Sequence, residues 1–339
     1  MKRQIHSGVG LLLLFVVFTM LSMGCSNGGD DEGSGIITPE GNLNTLFDGT
    51  YLTGEIGLNS TPYSVRSEVV GYGDGHLEWN DITAPHGSGS FPITVAADGR
   101  IMVDGADNGI ISPDGNAFAT ADTDAMNALG LRFGLKKSTG MTDSNLSGEY
   151  IIGAIQLSPD PAIEPILITS SGLGTFDWEE LLGPDTGTMD YSVDDDGTLT
   201  IGGIVQGLVG LNGNLFVAVS TDDVDSETTL RVGIRKSSGL TNASLSGSYI
   251  MCQMGIDADL FTSIMDVSSN GSGTLTFSTI ANSTGADGNG SVDYSVAADG
   301  VLSVDGQEAG IVSEDGNIFM ILDLDVDYEA LMIGIRKSS

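Results

Sequence analysis

The chain has only two cysteines, Cys25 and Cys252, in 339 residues. No disulfide framework can be built from so few, so ordinary cores must hold the fold. Histidine is equally scarce: His6, His76 and His86 are the full set. Zinc sites need several His or Cys ligands, which this chain does not supply. A Ser-His-Asp site would have to use His76 or His86, and no Gly-x-Ser-x-Gly elbow lies near either. Positive charge is thin, with 12 Lys and Arg against 46 Asp and Glu and a formal net charge of −34. So acidic a body repels phosphate backbones, which excludes nucleic acid as a partner. Phosphate-binding Gly-Lys-Ser/Thr and strand-to-helix Gly-x-Gly-x-x-Gly motifs are absent. The expectation is a protein that is not an enzyme; a paired-carboxylate hydrolase stays open as the alternative, since 46 acids guarantee chance pairs.

Proline is sparse at 9 residues while glycine reaches 49. Convincing helical periodicity is missing beyond the N-terminal segment. Gly with Thr, Ser, Val and Ile suits short strands and tight turns, so the composition predicts an all-β protein.

The N-terminus begins with Lys2 and Arg3, followed by an apolar run from Val9 to Met23. That run is short for a membrane-spanning helix, which needs ~20 apolar residues. It reads as an export signal. "LSMGC" then meets the polar, flexible "SNGGDDEGSG". This resembles a bacterial lipoprotein signal, with Gly24 and Cys25 at the cleavage site. The resemblance implies lipid attachment at Cys25, a membrane anchor, and residence in the bacterial cell envelope, in the periplasm or on the outer surface. Cys252, inside the apolar "YIMCQMGI", then has no partner and reads as a buried, inert thiol.

One phrase recurs three times. "LFDGTYLTG", "NLSGEYIIG" and "SLSGSYIMC" place Tyr51, Tyr150 and Tyr249 at even intervals. Each is followed by an aromatic strand bearing Trp79, Trp178 or Phe277, by two Asp-Gly or Asn-Gly hairpins, and by a closing strand, "LRFGLKKS", "LRVGIRKS" or "LMIGIRKS". The segments are a signal peptide (1–24), a tether (25–45) and β repeats at 46–142, 143–241 and 242–339. In the second repeat, strands are expected near 149–157, 164–171, 174–180, 187–193, 198–202, 206–211, 214–221 and 228–236. Short links between them make an antiparallel meander. A meander must deal with its edges. The fold expected first is three tandem eight-stranded barrels; one six-bladed β-propeller is the alternative.

Each repeat also resembles calycin barrels, the lipocalin-like class. Gly49-Thr50-Tyr51 with Lys136, Gly148-Glu149-Tyr150 with Arg235, and Gly247-Ser248-Tyr249 with Arg336 carry the resemblance. It implies a basic residue of the last strand packed across the aromatic residue of the first, and a cavity able to carry a small apolar ligand. Tyr51, Tyr150, Tyr249, Trp79, Trp178 and Phe277 are the candidates to line such a cavity or to fill the barrel core. Calcium is the one metal the sequence suggests, at Asp122, Asp124, Asp222, Asp323, Asp325 and Asp327, where strand alternation sets carboxylates side by side. Solvated acidic loops explain the same residues without a metal.

Three functions follow: a lipid-anchored surface-interaction or structural protein, a carrier of a small apolar ligand, and an extracytoplasmic hydrolase. Replacing Cys25 by Ala should move the protein from the membrane pellet to the soluble fraction of a bacterial host; pelleting unchanged would remove the anchor.

Overall fold

Short, turn-punctuated strands can protect their edges by closing on themselves, and here they do. The computed structural model describes residues 43–83, 87–124, 129–220, 227–257, 259–285, 288–325 and 328–339, all within one unit spanning 39–339. Cys25, the signal, most of the tether, Asp222, Asp327 and His86 lie outside the described residues. Among the described residues no helix is long and apolar enough to cross a membrane.

The first repeat contains β1 (Asp48–Leu58), β2 (Pro62–Tyr72), β3 (His76–Asp81), β4 (Ser88–Pro92), β5 (Thr94–Val95), β6 (Arg100–Val103), β7 (Ala106–Ile111), β8 (Ala117–Asp122) and β9 (Leu129–Lys136). The second contains β10 (Ser147–Ser158), β11 (Ala162–Ser171), β12 (Thr175–Glu180), β13 (Thr186–Val193), β14 (Thr198–Ile201), β15 (Ile204–Val209), β16 (Leu215–Ser220) and β17 (Thr228–Arg235). The third runs β18 (Gly247–Ile256), β19 (Leu260–Ser269), β20 (Thr274–Asn282), β21 (Asn289–Val296), β22 (Val301–Val304), β23 (Gln307–Val312), β24 (Ile318–Asp325) and β25 (Tyr328–Arg336).

The last strand of every repeat pairs antiparallel with its own first strand: Tyr51 opposite Lys136, Tyr150 opposite Arg235, Tyr249 opposite Arg336. The second and third repeats are closed eight-stranded barrels, which rules out the propeller. The first is nearly closed. Its sheet ends in β4 and β5, two halves of one segment that is a single strand, β13 or β21, in the other repeats. Pro92 ends β4, and without an N–H it cannot continue the ladder.

The two faces of the strands have different destinations. Inward faces form three separate cores, built around Phe118, Phe216 and Phe319. The glycine that marks each closing strand points inward and seats that ring. A Cβ on Gly134, Gly233 or Gly334 would fall 2.2, 2.1 or 2.2 Å from it. Outward faces form a fourth core shared by all three barrels. It contains Leu52 and Ile56, Ile151 and Ile155, Ile250 and Met254, and the closing-strand residues Leu131, Phe133, Leu135, Leu230, Val232, Ile234, Leu331, Ile333 and Ile335. The apolar face of the closing strand therefore lies outside its own barrel.

This packing is cyclic. β1 and β2 meet β16 and β17, β10 and β11 meet β24 and β25, and β18 and β19 meet β8 and β9. Close approach needs a small residue in the middle of each first strand. Gly54 faces Val217, Val219 and Leu230; Gly153 faces Met320, Leu322 and Leu331. At the same place in the third repeat stands Cys252, fully buried in the shared core, and the receiving strand carries Ala119 and Ala121 instead. Lysines repeat the cycle at the surface. Lys137 lies 3.0 Å from Glu68 of its own barrel and 3.1 Å from Asp196 of the second. Lys236 lies 3.3 Å from Glu149 and 2.9 Å from Asp299 of the third. Lys337 completes the ring, 2.7 Å from Asp266 and 3.9 Å from Asp98 of the first.

The connectors between repeats are not slack linkers. Each contains a 3-10 turn, Asp143–Leu146 or Asn242–Leu245, whose buried leucine enters the core of the barrel that follows.

Gly153→Cys would put a Cβ 2.7 Å from three side chains of the third barrel. Overpacking of this kind costs about 1–3 kcal/mol. Adding Met320→Ala and Leu322→Ala, which copies the surroundings of Cys252, should cost less in urea unfolding than the single losses added together.

Candidate ligand cavity

Each barrel has a plugged end, and the third has an open one as well. At the plugged end a 3-10 turn, Asn44–Leu46 in the first repeat, lies across the barrel, held by one side-chain acceptor per repeat. Asn44, Asp143 and Asn242 each accept the backbone N–H of Val95, Val193 and Val296 at 2.7 Å. The repeated tyrosine pins the same end. The hydroxyls of Tyr51, Tyr150 and Tyr249 donate to the carbonyls of Gly115, Gly213 and Gly316 at 2.7, 2.6 and 3.0 Å. Burial pushes the Tyr150 and Tyr249 phenols up to about 12, against Arg235 and Arg336, so both stay neutral donors. As the calycin resemblance implies, Lys136 lies over the Tyr51 ring at 5.9 Å and Arg336 over Tyr249 at 5.1 Å.

The three interiors differ above the plug. One inward position of the closing strand is Arg132, Arg231 and Met332 in turn, each two residues before the marker glycine. In the first barrel Arg132 pairs with Glu55, which also accepts the Tyr63 hydroxyl at 2.8 Å. Burial opposes the charge of Arg132, but Glu55 outweighs it and holds the guanidinium above its ordinary range. In the second, Arg231 meets Glu227 at 2.6 Å. Nearby, burial first and Glu180 second push the Glu164 carboxyl up, with Arg231 opposing.

The third barrel has no such arginine. Its interior is an open cavity of about 540 Å³. The deep wall is apolar: Met251, Met265, Met332, Phe277, Leu275 and Ile321. Gln253 is almost fully buried but satisfied, donating to the Tyr328 hydroxyl at 2.6 Å and accepting from Ser263 at 2.7 Å. The mouth is formed by the turn at Asp305–Glu308 and by the facing ends of β24 and β25, and Asp305, Glu308, Asp323 and Asp325 line it. Burial raises the Asp323 carboxyl, with Asp325 adding to the rise and the Asp325 N–H opposing it.

Among the aromatic candidates, Phe277 lines this cavity, whereas Tyr51, Tyr150 and Tyr249 are pins at the plugged ends. Trp79, Trp178 and Phe277 each lie on a cross-strand glycine, Gly89, Gly187 and Gly290. Trp178 also borders a shallower groove of about 340 Å³ with Leu167, Thr169 and Asp177. Asp122 and Asp124 end the β8 region of the first barrel, and burial raises the Asp122 carboxyl. Among the described residues no group of three His, Cys, Asp or Glu is gathered to hold a metal. His76 stands half-exposed, 3.8 Å from Glu78. The residue that sequence reading passed over is Met332. Its signal was present in the closing strands, where "LMIG" stands against "LRFG" and "LRVG".

No family model matches the chain, and no curated protein matches it. Solved structures similar to it include isotype 1 transferrin binding protein B from serogroup B Neisseria meningitidis. That match has 8% identity, covers 85% of this chain and 74% of that one, and has a TM-score of 0.29. A protein of unknown function from the DUF3598 family of Nostoc punctiforme shows 9% identity over 87% and 98% of the two chains, with a TM-score of 0.20. Kievitone hydratase from Nectria haematococca shows 9% identity over 86% and 90%, also with a TM-score of 0.20. Similarities this low say nothing about role.

A carboxyl raised in the fold opposes folding once the pH exceeds its unfolded value, and is neutral to stability below it. Glu164→Gln should therefore raise the thermal midpoint at pH 7, and the gain should vanish below about pH 4, near the unfolded Glu range.

Proposed function

We propose that this chain is an exported, lipid-anchored binding protein of the bacterial envelope, without catalytic activity, whose third barrel is the ligand compartment. The first and second barrels, which carry the Arg132–Glu55 and Arg231–Glu227 pairs at the equivalent depth, serve as scaffold. The observation that carries the reading is the cavity of about 540 Å³ that opens where Met332 replaces arginine. Its size lies within the ~300–1,000 Å³ typical of small-molecule sites, and its wall is mainly apolar with a few polar groups at one end. The surface-interaction reading draws on a separate feature, the exposure of Leu173 (83%) and Leu182 (73%) on the second barrel.

A neutral fluorescent probe such as N-phenyl-1-naphthylamine should bind one saturable site per chain. Met332→Arg, which copies the filled barrels, should abolish that binding. A smaller block, Ala309→Phe at the rim, should weaken it. Undiminished probe binding in both variants would place the ligand elsewhere and end this reading.

A further inference from the structure

The cavity of the third barrel is apolar in depth and acidic at its mouth. We propose that it takes an amphiphilic cation: an apolar body with one positively charged head, the body among the methionines and Phe277 and the head at the rim. This rests on the reading of the third barrel as the ligand compartment, and the cavity itself makes the site. The carboxylates decide only which head group it accepts.

Three observations select a cation. First, Asp305, Glu308, Asp323 and Asp325 line the mouth, and no Lys, Arg or His is among the described residues that line the cavity. Second, the basic residues of this repeat are committed elsewhere. Arg336 and Lys337 are the only two in 242–339, and both act at the plugged end. Arg336 donates to the Tyr249 hydroxyl at 2.7 Å and the Gly316 carbonyl at 2.9 Å, while Lys337 joins Asp266 and the first barrel. Third, the other two barrels carry their own cation at the equivalent depth, Arg132 or Arg231, paired with a carboxylate. In the third repeat Met332 stands in place of the arginine and Gln253 and Tyr328 in place of Glu55 and Glu227, so the carboxylates at its mouth have no such internal cation beside them. Asp323 is inclined by burial toward its neutral form, and an incoming positive charge would favour the ionised one. Soft, unbranched Met251, Met265 and Met332 adapt to an irregular apolar body. Tyr328 brings an aromatic ring to the mouth beside these carboxylates, where a quaternary or protonated amine can meet it.

The rim is partly exposed, so the charge preference should weaken with salt. An anionic or zwitterionic head would meet the same carboxylates without compensation.

The test displaces the neutral probe from the full chain with three ligands sharing an eight-carbon tail: octyltrimethylammonium, octanol and octyl sulfate. The expected order is ammonium first, by about tenfold or more over sulfate, equivalent to about 1.4 kcal/mol. The preference should shrink between 50 mM and 500 mM salt. In Asp323→Asn/Asp325→Asn the ammonium-to-sulfate ratio should fall toward one. If that variant fails to fold, Glu308→Gln at the exposed rim should lower the ratio in the same direction. Displacement by octanol or octyl sulfate as tight as by the ammonium would overturn this inference and leave the ligand compartment standing. Absence of probe binding in the unaltered chain would overturn both.

Discussion

The first and last strands of each repeat are buried on both faces, and the architecture follows from that. A strand in an ordinary sandwich or barrel shows one face to solvent. Here β1 and β9, β10 and β17, and β18 and β25 pair to close their own barrels, and their outer faces pack into a core common to all three. One apolar layer has to satisfy three barrels at once. Residue size is therefore matched across boundaries, with Gly153 against Met320 and Leu322, and Cys252 set where the neighbour carries Ala119 and Ala121. Protein interiors are close-packed, so such volumes cannot vary independently. The arrangement resembles a cyclic trimer drawn on one chain, each repeat presenting its head to the tail of the next.

Alternation along a strand separates this task from any other. In β25, Leu331, Ile333 and Ile335 belong to the ring, while Met332, Gly334 and Arg336 belong to the lumen. Glycine and the basic residue are constrained by Phe319 and the plug. The inward position before them is free to change without disturbing the shared core. It is Arg132 in one repeat, Arg231 in the next and Met332 in the third. A lumen can be emptied or filled by that exchange while the outside of the barrel stays as it was.

Much of this was legible in the sequence. The eight strands expected in the second repeat coincide with β10 to β17 within about two or three residues, because Gly-containing turns and period-two segments are local signals. The landmarks favour self-closure of each repeat over a propeller, and the pairing of first and last strands decides between them. Other features depended on partners far along the chain. Period two divides Leu230, Val232 and Ile234 from Arg231 and Gly233, yet it does not say which set faces the lumen. The apolar set faces outward because a second barrel covers it, and the glycine faces inward because Phe216 needs its space. Ser, Thr and Gly dominate the connectors, which is a linker's composition. Leu146 and Leu245, the residues that make them plugs, are single apolar positions without periodic support. The break in the first barrel traces to Pro92, whose effect on a ladder could be foreseen only once its segment was known to pair on both sides. The exchange at Met332 needed no structure to be noticed, only the inward direction that gives it meaning.

Partly buried ion pairs such as Arg132 with Glu55 are weak contributors to stability, because desolvation of the charges offsets much of their attraction. An apolar replacement that filled the same volume would serve the barrel as well. Met332 does not fill it; a cavity of about 540 Å³ remains. A void of that size forgoes contacts that a packed lumen would make, so the third barrel must draw its stability from elsewhere. The ring supplies the means. Both outer flanks of the barrel are held, by β8 and β9 of the first repeat on one side and by β10 and β11 of the second on the other. Lys236 and Lys337 tie its hairpin at Asp299 and its own Asp266 to those neighbours. A single small barrel with an open interior would have to balance emptiness against a limited core. Three barrels sharing one core can leave one interior open while the other two repeats hold its flanks.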